Sequence, residues 1–85
     1  MSTILQQLDQ FVRTKFDISP DDPDFGVDVH LFDYGYVDSF GAQALIAFVE
    51  ETFHVTVSDD DLVKFRMNTL NEINQFIAKR QAENA

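Results

Sequence analysis

The chain has 85 residues, 45% of them hydrophobic, with nine Phe, no Cys and a formal net charge of -9. That length makes one domain with a small core, burying about 60–65% of the surface the unfolded chain exposes. The apolar content excludes a disordered acidic tail, and the lack of Cys excludes disulfides and thiolate metal sites. No Lys or Arg stands between Lys15 and Lys64, while acids recur from Asp17 to Asp61. Such a field repels phosphate backbones, so nucleic acid is not an expected partner, and partners chosen electrostatically would be basic proteins. The plainer reading of the charge is that it keeps a small protein in solution. No stretch approaches the roughly 18 apolar residues of a membrane span. The start, Met1-Ser2-Thr3-Ile4-Leu5, lacks the basic and apolar parts of a signal peptide. These features lead us to expect a soluble, cytoplasmic monomer.

Ile4, Leu5, Leu8, Phe11, Val12 and Phe16 recur at helical spacing with polar residues between them, which predicts an amphipathic helix over 3–16 capped by Thr3. Asp17 to Asp28 contains Pro20, Pro23, Gly26 and five acids and reads as a long loop, pinned by Phe25, Val29, Leu31 and Phe32. A loop that long in so small a domain needs a reason. Gly35 breaks the chain again. Asp38 then precedes a run whose Leu45, Phe48, Val49, Thr52 and Phe53 share one helical face, predicting a helix over 39–53.

His54 to Val57 has strand propensity but no partner strand, so it is expected to be an extended connector burying Val55 and Val57. Ser58-Asp59-Asp60-Asp61 opens a short helix, 59–65, the acids forming a solvated first turn. Thr69 and Glu72 match a capping box ahead of Leu70, Ile73, Phe76 and Ile77, predicting a last helix over 69–81 with a frayed end from Gln81 to Ala85. Arg13, Lys15, Lys64, Arg66, Lys79 and Arg80 fall at expected helix ends, where they complement the macrodipole or cover apolar surface. The fold class is all-α: a single-domain bundle of three main helices plus one short helix.

Leu31 to Gly41 is the segment that stands out, because it puts the Ser39 hydroxyl on the first turn of a helix directly after a turn. A helix N-terminus offers unpaired amides and a positive dipole end, which suits a phosphate ester on that serine. Asp38 caps the helix and orients Ser39. Taken alone, Asp-Ser is an ordinary helix start. The whole-chain order of Phe32, Gly35, Asp38-Ser39-Phe40, Glu50-Glu51, Phe53, Val55, Asp61-Leu62, Thr69 and Ile73, however, resembles the acyl carrier protein family over nearly the full length.

The resemblance implies that a phosphopantetheinyl transferase moves 4'-phosphopantetheine from coenzyme A onto Ser39, making the chain a phosphoprotein whose arm carries cargo as a thioester. The reactive sulfur would come with the arm, which accounts for the lack of Cys. The resemblance further implies that a cargo-loading ligase or transferase, and downstream enzymes with basic surfaces, dock on Asp38, Phe40, Gln43, Ala47, Glu50 and Glu51. Leu45, Val49 and Phe53 would face inward to pack the core and an acyl chain. The two-residue spacer Tyr36-Val37 and the Phe40-Gly41 pair depart from the fatty-acid type and are similar to D-alanyl and other stand-alone carriers. The cargo stays open among acyl, D-alanyl, aminoacyl and polyketide units.

Gly41 costs up to about 1 kcal/mol in a helix relative to Ala, and close approach of a partner or of the arm is one reason for it. No hydrolase constellation accompanies His30 and His54, and no enzymatic activity is expected. Asp22, Asp24 and Gly26 resemble a calcium loop, but the Gly falls one place early and no Glu closes the motif, so no metal site is expected beyond weak cation binding. The alternative from another class is an unmodified acidic helical interaction domain that keeps the carrier fold.

Overall fold

The computed structural model describes residues 3–19, 21–65 and 67–84; the expectations for Pro20, Arg66 and Ala85 lie outside them. Four helices follow in order: α1 (Thr3–Lys15), α2 (Ser39–Phe53), α3 (Asp59–Lys64) and α4 (Leu70–Asn84). The described residues contain no strand, and the connector after α2 is extended with Val55 buried and Val57 half-buried. α1 packs along α4. Their apolar stripes meet in a core whose fully enclosed side chains include Leu8, Val12, Leu31, Leu70 and Ile77. Leu45, Val49 and Phe53 add the inner face of α2, as their spacing requires, but Thr52 is exposed.

Local chemistry explains the boundaries. α1 stops because Asp17 turns left-handed at φ 60°, and the Ile18 amide donates back to the Arg13 carbonyl at 2.8 Å. That is the six-to-one bond of a Schellman closure, with Ile18 buried against the core. α2 ends similarly, His54 taking φ 55°. α4 begins where the Thr69 hydroxyl accepts the Glu72 amide at 3.1 Å. It continues to Asn84 instead of fraying from Gln81, because no Gly or Pro interrupts it and Arg80 lies 3.8 Å from Glu83 one turn on. Lys79 and Arg80 therefore sit inside the helix. They lie over the rings of Phe65 and Phe76, at 5.0 and 5.1 Å.

The long loop has its reason in tertiary hydrogen bonds. Leu31 donates to the Asn68 carbonyl at 2.8 Å and accepts from Val37 at 3.1 Å, while Asn71 donates to the Val27 carbonyl at 2.9 Å. Phe25, Leu31 and Val37 are buried, Val29 is half-buried, and Phe32 stays exposed. At the loop's start Arg13 ties the segment to α1, donating to Asp9 and to the Ser19 carbonyl and lying over the Phe25 ring. The Asp22 carboxylate accepts the Asp24 amide in a local turn, and the described residues contain no cluster of acids, His or Cys suited to a metal ion.

The acidic run at α3 differs from the solvated first turn that its composition suggests. Asp61 is buried and accepts from the Ser58 amide at 3.0 Å, from the Ser58 hydroxyl at 3.0 Å and from Arg80 Nη2 at 2.7 Å. The Ser58 hydroxyl accepts in turn from the Asp61 amide, completing a capping box. The Ser58 amide, its hydroxyl and the Arg80 guanidinium hold the Asp61 carboxyl below its ordinary range against the opposing effect of burial.

A depressed carboxyl contributes stability that is complete above its unfolded pKa and is lost as pH falls through the folded one. Asp61→Asn should therefore unfold at lower urea than the native chain at pH 7. The gap should narrow below about pH 4, where unfolded carboxylates take up protons; a gap independent of pH would show that the charge on Asp61 does not stabilise the fold.

Candidate functional site

Asp38 takes an extended conformation and its Oδ1 accepts the Gly41 amide at 2.8 Å, while its carbonyl accepts from Ala42 at 2.8 Å. Ser39 is the first residue of the fifteen-residue α2 and is exposed. The cap therefore fixes the backbone on which the hydroxyl stands while leaving the hydroxyl outside. Gly35, at φ 77°, makes the reversal that a side chain would strain and aims the chain into α2. Upstream, Val37 is buried and bonded to Leu31, so the turn leading into Ser39 is tied to the core.

Gly41 is explained inside the molecule. A Cβ built there meets Phe16 ring carbons at 2.6 and 3.0 Å and Val37 Cγ1 at 3.1 Å. The missing side chain admits the end of α1 against the first turn of α2, so neither a docking partner nor the arm is needed to account for it. Phe16 stands edge-on to Phe11, which stacks on Phe48 of α2 at 4.0 Å between centroids.

Phe40, Gln43, Ala47 and Glu51 are exposed, spaced at three, four and four residues along one stripe of α2, with Phe40 83% exposed. Glu50 differs from its neighbour. It is half-buried and its Oε2 accepts the Val57 amide at 2.9 Å, so its carboxylate anchors the connector. Beside the inner edge of α2 lies an apolar pocket of about 320 Å³, walled by Ala42, Leu45, Ile46 and Val49, by Leu62 and Val63 of α3, and by Phe32, Phe65 and Ile73 among others. Ala42, in its wall, is one turn beyond Ser39. Sequence reasoning missed this pocket's outer wall, since nothing in the spacing of Leu62 and Val63 tells which element they face.

An exposed hydroxyl at a capped helix start, in a bundle of three long helices and one short helix, is the arrangement of a carrier domain. The family model for the phosphopantetheine attachment site matches residues 6–77, and the chain belongs to that family. It is a carrier protein of the kind that bears covalently attached 4'-phosphopantetheine. No curated protein and no solved structure gives a significant match. The donor set fits the group: Ser39 offers an exposed hydroxyl for the phosphoester, and an appendage there displaces nothing from the core.

The Gly41 contact sets up a test of how α2 is seated. In a Phe16→Leu background Gly41→Ala should stabilise the chain by up to about 1 kcal/mol, the helix-propensity difference. With Phe16 present the gain should vanish or reverse, as read by urea denaturation of the four chains. Equal effects in both backgrounds would refute the steric account.

Proposed function

We propose that Ser39 carries the phosphopantetheine arm, and that the exposed stripe Phe40, Gln43, Ala47 and Glu51, with Glu50 at its edge, receives the enzymes that load and use the cargo. The observation that supports this most directly is the exposed hydroxyl on the first residue of α2, held in place by the Asp38 cap. The bound arm supplies the thiol that holds cargo as a thioester. The chain's own part is presentation: Asp38 directs the helix start, Leu45, Val49 and Phe53 hold the helix against the core, and the amides of the first turn favour the phosphate charge.

Its partners in this reading are a phosphopantetheinyl transferase, a cargo-loading ligase or transferase, and downstream enzymes with basic docking surfaces. The chain itself catalyses nothing and works as a single cytoplasmic domain and a monomer. No helix among the described residues is long and apolar enough to cross a membrane.

The deciding measurement is intact mass after incubation with coenzyme A, magnesium and a broad-specificity phosphopantetheinyl transferase. The native chain should gain one phosphopantetheinyl unit and Ser39→Ala none. A gain in the Ser39→Ala chain would move the site, and no gain in either with several transferases would favour the unmodified interaction domain.

Docking gives a second expected outcome. Phe40→Ala should raise the KM of the transferase on the order of tenfold, the loss typical of an aromatic anchor. Glu51→Lys should raise it in a way that fades with added salt, since a rim charge acts mainly on encounter. Glu50 is the poorer probe, because replacing it also removes the bond to Val57. If KM ignored both substitutions, the stripe would not be the docking surface.

A further inference from the structure

α3 is attached to the rest of the molecule in an unusual way. It has six residues, and its one buried side chain is a carboxylate, Asp61; Leu62 is 43% exposed and Val63 86% exposed. A short helix that hides no apolar side chain is not held by hydrophobic burial, the force that seats the other three helices. Both ends of the segment are nevertheless pinned. Before it, the Val57 amide is bonded to Glu50; after it, the Asn68 carbonyl accepts from Leu31. Between those anchors, two attachments to α4 hold it down: the Asp61 bond to Arg80, and the Phe65 ring standing edge-on to Phe76 beneath Lys79. The same segment supplies Leu62, Val63 and Phe65 to the outer wall of the 320 Å³ apolar pocket, opposite Leu45, Ile46 and Val49 of α2.

We infer that residues 58–65 are a lid over this pocket, latched by the Asp61–Arg80 ion pair, and that opening the latch enlarges the pocket for an apolar guest without unfolding the bundle. The capping box lets the lid move as a unit, because Ser58 and Asp61 satisfy each other's backbone amides whether or not Arg80 is in place. The latch has a built-in competitor. Glu83 lies 3.8 Å from Arg80 Nε on the same helix, so the guanidinium keeps a carboxylate within reach when Asp61 departs. Opening therefore does not strand a bare charge, and a segment with so little buried apolar surface belongs to the low-stability end of the molecule, where local opening precedes global unfolding. The lid needs no modified Ser39 and stands whether or not that assignment does.

Arg80→Met removes the guanidinium and keeps an apolar stem over Phe76. In hydrogen exchange on the full chain read by mass spectrometry, the amides of 58–65 should exchange about tenfold faster in this variant, with α1 and α2 unchanged. Nile red, a neutral apolar dye, should bind several-fold more tightly, and Arg80→Lys should restore slow exchange in part. Should Arg80→Met fail to fold, Asp61→Asn removes the other half of the latch and gives the same reading. Faster exchange throughout α1 and α2, unchanged exchange in 58–65, unchanged dye affinity, or loss of the fold in both variants would each overturn the lid.

Discussion

The start of α2 must be exposed and immobile at once, and the rest of the structure is arranged around that requirement. A serine that an enzyme must reach cannot be buried, yet a hydroxyl on a loose loop has no fixed direction. The chain meets both conditions through its backbone. Asp38 closes the first turn, Val37 and Leu31 bond beneath it, and Leu31 is bonded in turn to Asn68 just before α4. The long acidic loop is thus a brace between the first and last helices, with buried Phe25 and Leu31 as its fixed points.

The second support comes from α1. Phe16 projects past the end of that helix into the space left by Gly41, so the first turn of α2 rests on an aromatic ring. Phe11 and Phe48 continue the contact further along α2. Glycine weakens a helix, but here it permits a packing distance that alanine would forbid, and local propensity gives way to tertiary fit.

Periodicity and capping chemistry were enough to place all four helices, and the Asp38 and Thr69 caps follow from residue type and spacing alone. What escaped was long-range. Asp61 finds Arg80 nineteen residues away and Phe16 meets Gly41 across a loop, and neither pairing has a local signal. Gly41 announced a close approach by its cost, though not which side chain comes close. Glu50 and Glu51 are indistinguishable as letters; the turn of the helix exposes one carboxylate and aims the other at the Val57 amide. The end of α4 was misjudged because terminal residues fray by default, a default that an uninterrupted helix with an Arg80–Glu83 pair overrides.

The six basic residues carry the last step. Arg13 is engaged by Asp9, the Ser19 carbonyl and the Phe25 ring, Arg80 by Asp61, Glu83 and Phe76, and Lys79 by Phe65. Half of the positive charge is therefore occupied in holding loops and α3 to the helices. The acids are distributed differently: Asp38, Glu51, Asp59 and Asp60 are exposed on α2, α3 and the turn before α2. Since a Debye length at physiological salt is about 8 Å, an approaching protein feels the charges near its point of contact more than the total. Around Ser39 that local field is negative, with an exposed phenylalanine, Phe40, at its centre. A partner that fits this surface needs a basic rim to find it and an apolar recess to stay, so the same arrangement that braces the serine also sets the terms of its recognition.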